Sequence, residues 1–131
     1  MFQKEVARRL TAQCGSHDYG YLSIAAQARA CITFLADVGS ASLSPEPKVD
    51  SSVLVFRPGR IFAGAEREKE LFSLLKSAFT HRRKTLVNSL ALSGRFSKIA
   101  IEAALSKIAL DPRVRPQELS PEDYLKLMAE L

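Results

Sequence analysis

The chain changes character at Arg57-Pro-Gly-Arg60, and no other feature restricts its fold so strongly. Before that point it contains strand formers. Cys31-Ile-Thr-Phe-Leu-Ala36 is a nearly continuous apolar run, short enough for a buried strand. Val49 to Arg57 alternates, with Val49, Val53 and Val55 on one face and Leu54 and Phe56 on the other. Between them, Gly39 to Pro47 reads as a loop stiffened by Pro45 and Pro47, neither of which can donate to a sheet ladder. Two strands joined this way are expected to pair antiparallel. Phe2 to about Gln13 suggests a short strand end followed by a helix with Val6 and Leu10 on one face, and Leu22 to Arg29 a second helix.

Beyond Arg60 only helical spacing remains. Leu71, Leu74, Leu75, Ala78 and Phe79 form a core-facing stripe, and Ile101, Ala104, Leu105 and Ile108 repeat it. Ser120 is placed as an N-cap, Pro121 as the first helical residue, and Leu119 and Tyr124 as a hydrophobic staple. The expected fold class is therefore α/β followed by all-α, with residues 1–60 and 61–131 as the two parts. An α/β piece with two or three such apolar strands is small to stand alone. Either it pairs with another chain or it is the tail end of a domain whose first half lies elsewhere. Its incomplete sheet is expected to promote self-association.

A formal charge of +5 over 131 residues favours a polyanionic partner. Cys14 and Cys31 have neither CxxC spacing nor nearby histidines, which argues against zinc; they are expected to be core thiols in a reducing, cytoplasmic setting. No apolar run approaches the ~20 residues of a membrane span, so no membrane partner is expected. His17 and His81 lack the carboxylate and nucleophile that a general base requires.

Arg82, Arg83 and Lys84 stand together inside an apolar frame, just after the helix that ends at Phe79. Such a cluster suits a phosphate backbone, and equally a solvated helix start. A helix over 82–90 would turn Leu86, Val87 and Leu90 inward and Lys84, Thr85, Asn88 and Ser89 outward. Arg83 would fall in the apolar arc, so it either precedes the helix or packs its stem. Lys48 either closes its loop against Asp50 or Glu46 or meets a phosphate.

Several segments, in order, resemble the bacterial small-subunit (16S) rRNA adenine dimethyltransferases. They are Met1-Phe-Gln-Lys-Glu-Val-Ala7, Tyr19-Gly20 with Leu22-Ser23, Pro45-Glu-Pro-Lys-Val-Asp-Ser51, Arg82-Arg-Lys-Thr-Leu86 with Asn88-Ser89-Leu90, Asp111-Pro-Arg113 and Glu118-Leu-Ser120. The resemblance covers the family's carboxy-terminal half. It implies the closing strands and helices of a Rossmann-like methyltransferase domain, followed by a small helical domain that docks on rRNA. It further implies RNA contacts at Arg82, Arg83, Lys84, Lys48 and Asn88, and places Leu43, Pro45, Pro47, Gln3 and Lys4 near the pocket for the flipped target adenine. Leu43 departs from the phenylalanine common there, and leucine cannot stack on a base.

The intact enzyme of such a family would transfer methyl groups from S-adenosylmethionine to two adjacent adenines near the 3′ end of small-subunit rRNA, in the pre-30S particle. Its cofactor loop is glycine-rich, because only glycine lets backbone amides approach that closely. None of the six glycines here sits in such a pattern, and no Asn-Leu-Pro-Tyr-type tetrapeptide occurs. The resemblance thus implies no S-adenosylmethionine, no metal and no catalysis for this chain alone. Two alternatives are a non-catalytic RNA-binding module of small-subunit assembly and a docking domain for a separate catalytic subunit.

Overall fold

The computed structural model describes residues 1–46, 48–59 and 65–131. Pro47 and Arg60, both named above, lie outside the described residues. The chain divides into two compact units, Met1–Arg60 and Ile61–Leu131.

The first unit is α/β. Strand β1 (Phe2–Gln3) runs directly into helix α1 (Lys4–Thr11), followed by α2 (Tyr21–Gln27), β2 (Ala30–Val38) and β3 (Ser51–Pro58). The sheet order is β1-β3-β2, antiparallel throughout, as expected for β2 and β3. Ala30 pairs with Pro58 at one end of the β2–β3 ladder and Val38 with Ser51 at the other; a register shift between Phe34 and Ala36 leaves Leu35 unpaired. One sheet face carries Ile32, Phe34, Leu54 and Phe56, the alternation the sequence predicts for β3. Phe2 joins Phe56 there, ring centroids 5.7 Å apart.

Helix α1 buries Ala7 and Leu10, while Val6 is only half-buried. Cys14 and Cys31 are exposed, against the expectation of core thiols. Cys14 lies in the turn after α1, and Cys31 on β2 is paired with exposed Arg57. Helices α1 and α2 are joined by polar bonds rather than by sulfur. The Gln27 amide donates to the Leu10 and Ala12 carbonyls at 3.1 and 2.9 Å, and the buried Ser23 hydroxyl donates to the Arg9 carbonyl. These bonds satisfy carbonyls at the end of α1 that have no partner within the helix.

The second unit is helical: α3 (Ala65–Phe79), α4 (Leu86–Leu92), α5 (Lys98–Lys107) and α6 (Pro121–Glu130). Its core is built from the predicted stripes. Leu71, Leu74, Leu75 and Ala78 of α3, Leu86, Val87 and Leu90 of α4, Ile101, Ala104 and Leu105 of α5, and Tyr124 and Leu127 of α6 are all buried. Each fully buried leucine adds about 1.5–3 kcal/mol of transfer free energy. Phe79 and Ile108 close their stripes only half-buried. Leu119 and Tyr124 are both fully buried, where the staple was expected, and the Tyr124 hydroxyl donates to the Pro116 carbonyl.

Candidate nucleic-acid interface

Helix α3 stops at Phe79. The Thr80 hydroxyl donates back to the Lys76 carbonyl at 2.7 Å, and residues 80–84 form a turn. Helix α4 begins only at Leu86, capped by Thr85, whose oxygen accepts the Asn88 amide at 3.3 Å. Arg82, Arg83 and Lys84 therefore occupy the turn and lie on no helix, and all three are exposed. Of the two alternatives for Arg83, the structure takes the first: it precedes the helix, and its stem is not in the core.

The turn is held firmly. The His81 carbonyl accepts both the Lys84 amide and the Ser89 hydroxyl, each at 2.9 Å. Ser89 is thereby buried, whereas a helix over 82–90 would have turned it outward; with α4 starting at Leu86, its hydroxyl serves as the anchor for the turn. The Leu86 amide donates to the Val114 carbonyl at 2.8 Å, bracing the start of α4 against the segment after α5. In that segment Asp111 accepts the Arg113 amide at 2.7 Å and pairs with the Arg113 guanidinium at 3.3 Å. Hydrogen bonds from Arg113 hold the Asp111 carboxyl below the ordinary value of 3.8. Asn88 is exposed on the first turn of α4.

The electrostatics of this region extend beyond the triplet. Between Glu70 and Glu102 the sequence contains no Asp or Glu, while Lys76, Arg82, Arg83, Lys84, Arg95 and Lys98 all fall within it. All six cations are exposed, and of them only Lys98, four residues before Glu102 on α5, has a carboxylate within one helical turn along the chain. Reading the triplet alone overlooks this; counting charges over a thirty-residue window reveals it. Arg95 is partly committed to structure, its guanidinium donating to the Ser73 hydroxyl and lying 5.3 Å over the Phe96 ring. The exposed cations of the turn, Arg82, Arg83 and Lys84, stand on a frame fixed by the His81 carbonyl, an arrangement suited to a polyanion.

A second cluster lies in the α/β unit. Gln3 pairs with Ser51, and the Lys4 amide donates to the Asp50 carbonyl at 3.0 Å, which sets both residues beside the end of the loop that carries Leu43, Pro45 and Lys48. The loop is closed at its neck by the Ser40 amide on the Asp50 carboxylate at 3.0 Å, while Lys48 is exposed. Leu43 is half-buried and Pro45 exposed. The Lys4 ammonium turns to Asp37, at 3.6 Å, and Asp37 also accepts the Ser52 hydroxyl at 2.6 Å. The Ser52 bond, assisted by Lys4, holds the Asp37 carboxyl below its ordinary value. Sequence reading named Lys4 but missed its partners Asp37 and Ser52, because the three are scattered along the chain and share no motif.

Nothing among the described residues gathers three or more metal-ligating side chains, and none of the described helices is long and apolar enough to cross a membrane. Among the described residues, strand β1 meets α1 with no glycine between them, and β2 is followed by Gly39 alone before its loop.

The sequence pattern of the ribosomal RNA adenine dimethylase family matches residues 1–131. The ribosomal RNA small subunit methyltransferase A of Lactobacillus delbrueckii subsp. bulgaricus is 42% identical over 129 residues, covering 97% of this chain and 43% of that protein. The Coxiella burnetii protein of the same name is 38% identical, with 97% and 47% covered, so the chain spans about half the length of the curated relatives it matches. A crystal structure of a dimethyladenosine transferase from Plasmodium falciparum superposes with a TM-score of 0.75 at 26% identity, over 96% of this chain and 53% of that one. With its whole length inside the family pattern and its fold repeated in a solved dimethyladenosine transferase, this chain belongs to the ribosomal RNA adenine dimethylase family.

Proposed function

We propose that this chain is the carboxy-terminal portion of an S-adenosylmethionine-dependent rRNA adenine N6,N6-dimethyltransferase, and that it supplies the surface that docks on small-subunit rRNA. The intact enzyme would act on two adjacent adenines near the 3′ end of that RNA. Residues 1–60 would form the closing part of its Rossmann-like domain and residues 61–131 the docking domain. The observation that carries this reading is the carboxylate-free stretch between Glu70 and Glu102, with its pinned turn of three exposed cations. Arg82, Arg83 and Lys84 would grip phosphates, and Asn88 would add a neutral hydrogen-bonding group one turn along. Lys48 would meet a phosphate near the target base, while Gln3, Lys4, Leu43, Pro45 and Pro47 would border its pocket. The methyl donor and its glycine-rich loop would come from the rest of the enzyme, and no residue of this chain is assigned to the donor. What this chain contributes is positioning, because methyl transfer depends on the adenine being held in line with the donor.

The test is filter binding of the 3′ stem-loop of small-subunit rRNA across a salt series. Each phosphate contact on a single strand steepens the log–log salt slope by about 0.7. The Arg82→Ala/Lys84→Ala variant is expected to weaken binding and to flatten that slope by roughly one unit per lost contact at most. Arg83→Ala should behave like the other two, because its side chain is exposed and not part of the core. An unchanged slope in the double variant would reject the docking assignment.

A further inference from the structure

Beside the cationic turn, a groove of about 200 Å³ runs between the last turns of α3 and the end of α4. Lys76, Ser77, Thr80, His81, Leu92 and Ser93 line it, with buried Ser89 also on its wall. We propose that this groove is a ribose-phosphate subsite that recognises the 2′-hydroxyl of one RNA nucleotide. The inference rests on the docking function proposed above and adds the chemical group that is read.

The hydroxyls of this groove are bonded to backbone carbonyls. Ser77 donates to the Ser73 carbonyl at 3.2 Å, Thr80 to that of Lys76 at 2.7 Å, Ser93 to that of Leu90 at 2.6 Å, and Ser89 to that of His81 at 2.9 Å. A serine or threonine hydroxyl has one proton and two lone pairs. With these four hydroxyls bonded to backbone carbonyls, the oxygens of Ser77 and Thr80 offer acceptors to whatever occupies the groove, while that of Ser93 also accepts the Arg95 amide at 3.4 Å. A phosphate oxygen has no proton to give them. The 2′-hydroxyl of a ribose does, and it is the group that distinguishes RNA from DNA. The Lys76 ammonium, within the carboxylate-free stretch, is placed for the adjoining phosphate. Leu92, 58% exposed on the same wall, offers an apolar surface to the carbon face of a sugar. The groove thus sets hydroxyl acceptors beside the Lys76 ammonium, the pairing that a ribose and its adjoining phosphate would meet.

The test compares two fluorescently labelled stem-loops with the sequence of the 3′ end of small-subunit rRNA, one all-ribose and the other 2′-fluoro throughout. The 2′-fluoro copy keeps an RNA-like sugar pucker but has no 2′ proton to donate. By anisotropy, the full chain is expected to bind the ribose form about three- to tenfold more tightly, the equivalent of one net hydrogen bond. In Ser77→Ala/Thr80→Val/Ser93→Ala the preference should vanish, with affinity for the 2′-fluoro form unchanged. Lys76→Gln should keep the preference and reduce the salt slope by about 0.7. Equal wild-type binding of the two forms, or a preference that survives the triple variant, would overturn the subsite. If that happened while Arg82→Ala/Lys84→Ala still flattened the salt slope, the docking function would stand without it. A chain that binds neither stem-loop would remove both.

Discussion

Asp37 shows how a single side chain can hold a sheet to its helix. Its carboxylate accepts the Ser52 hydroxyl and pairs with Lys4, so β2, β3 and the start of α1 meet at one charge. The Ser52 bond, followed by the attraction of Lys4, holds its pKa below 3.8. The folded chain therefore binds this proton less readily than the unfolded one, and stability rises with pH through that range. The contribution is fully present above the ordinary carboxylate value and is lost as pH falls through the folded one. Asp37→Asn should flatten the acid limb of a Tm-against-pH curve and leave its neutral plateau lowered only slightly, since the pair is half exposed. An acid limb as steep as that of the wild-type chain would assign the titration to other carboxylates, Asp111 first among them. None of this was legible in the sequence, because Lys4, Asp37 and Ser52 become neighbours only through strand register. Ser89 was misread for a related reason: helical phase turned it outward, and only the delayed start of α4 turns it in.

Elements were legible where local chemistry and the tertiary core agree. Helix α6 is the clearest case. The Ser120 hydroxyl oxygen accepts the Asp123 amide at 3.1 Å and the Asp123 carboxylate in turn accepts the Ser120 amide at 3.1 Å, with Pro121 at the first helical position and Tyr124 buried one turn on. Each of these follows from residue type and spacing alone. The start of α4 was less legible, since both the cation run and Thr85 are compatible with a first turn. The Thr85 cap decides it, and the His81 carbonyl holds the preceding residues in a turn. Ser120→Ala should cost about 1 kcal/mol, the usual loss for an N-cap oxygen. Followed by circular dichroism, the helical melt should fall by roughly 4–8 °C, as expected for a unit of this size. Asp123→Ala should cost less, because it leaves the Ser120 cap in place. A melt unchanged by Ser120→Ala would mean that the buried Pro121, Tyr124 and Leu127 hold α6 without its cap.

For the whole chain, what governs behaviour is the sheet that the first unit leaves incompletely covered. Helix α1 lies over the face that bears Phe34, Asp37 and Ser52, with a cavity of about 150 Å³ between them. On the other face, the cross-strand pairs Cys31–Arg57 and Thr33–Val55 are all exposed. Even on the covered face Phe34 is 53% exposed, and Leu35, at the register shift, is 63% exposed. Strand β2 is also an edge, nine residues long, with one row of backbone groups facing away from β3. The sequence reading anticipated strands too apolar for so small a sheet. Which side chains stay uncovered depends on helix placement, which periodicity does not specify. A long edge beside apolar side chains is a template for pairing with a second chain, and the bulge at Leu35 only partly blunts it. The isolated chain should therefore self-associate, its weight-average sedimentation coefficient rising across a concentration series. Leu35→Lys with Val55→Lys should shift it towards monomer without changing its far-ultraviolet spectrum, because both side chains are exposed, and charge on the β2 edge and on the open sheet face opposes association. A wild-type chain that sediments as one monomeric species at every concentration, and melts cooperatively, would show that this sheet is sufficient by itself.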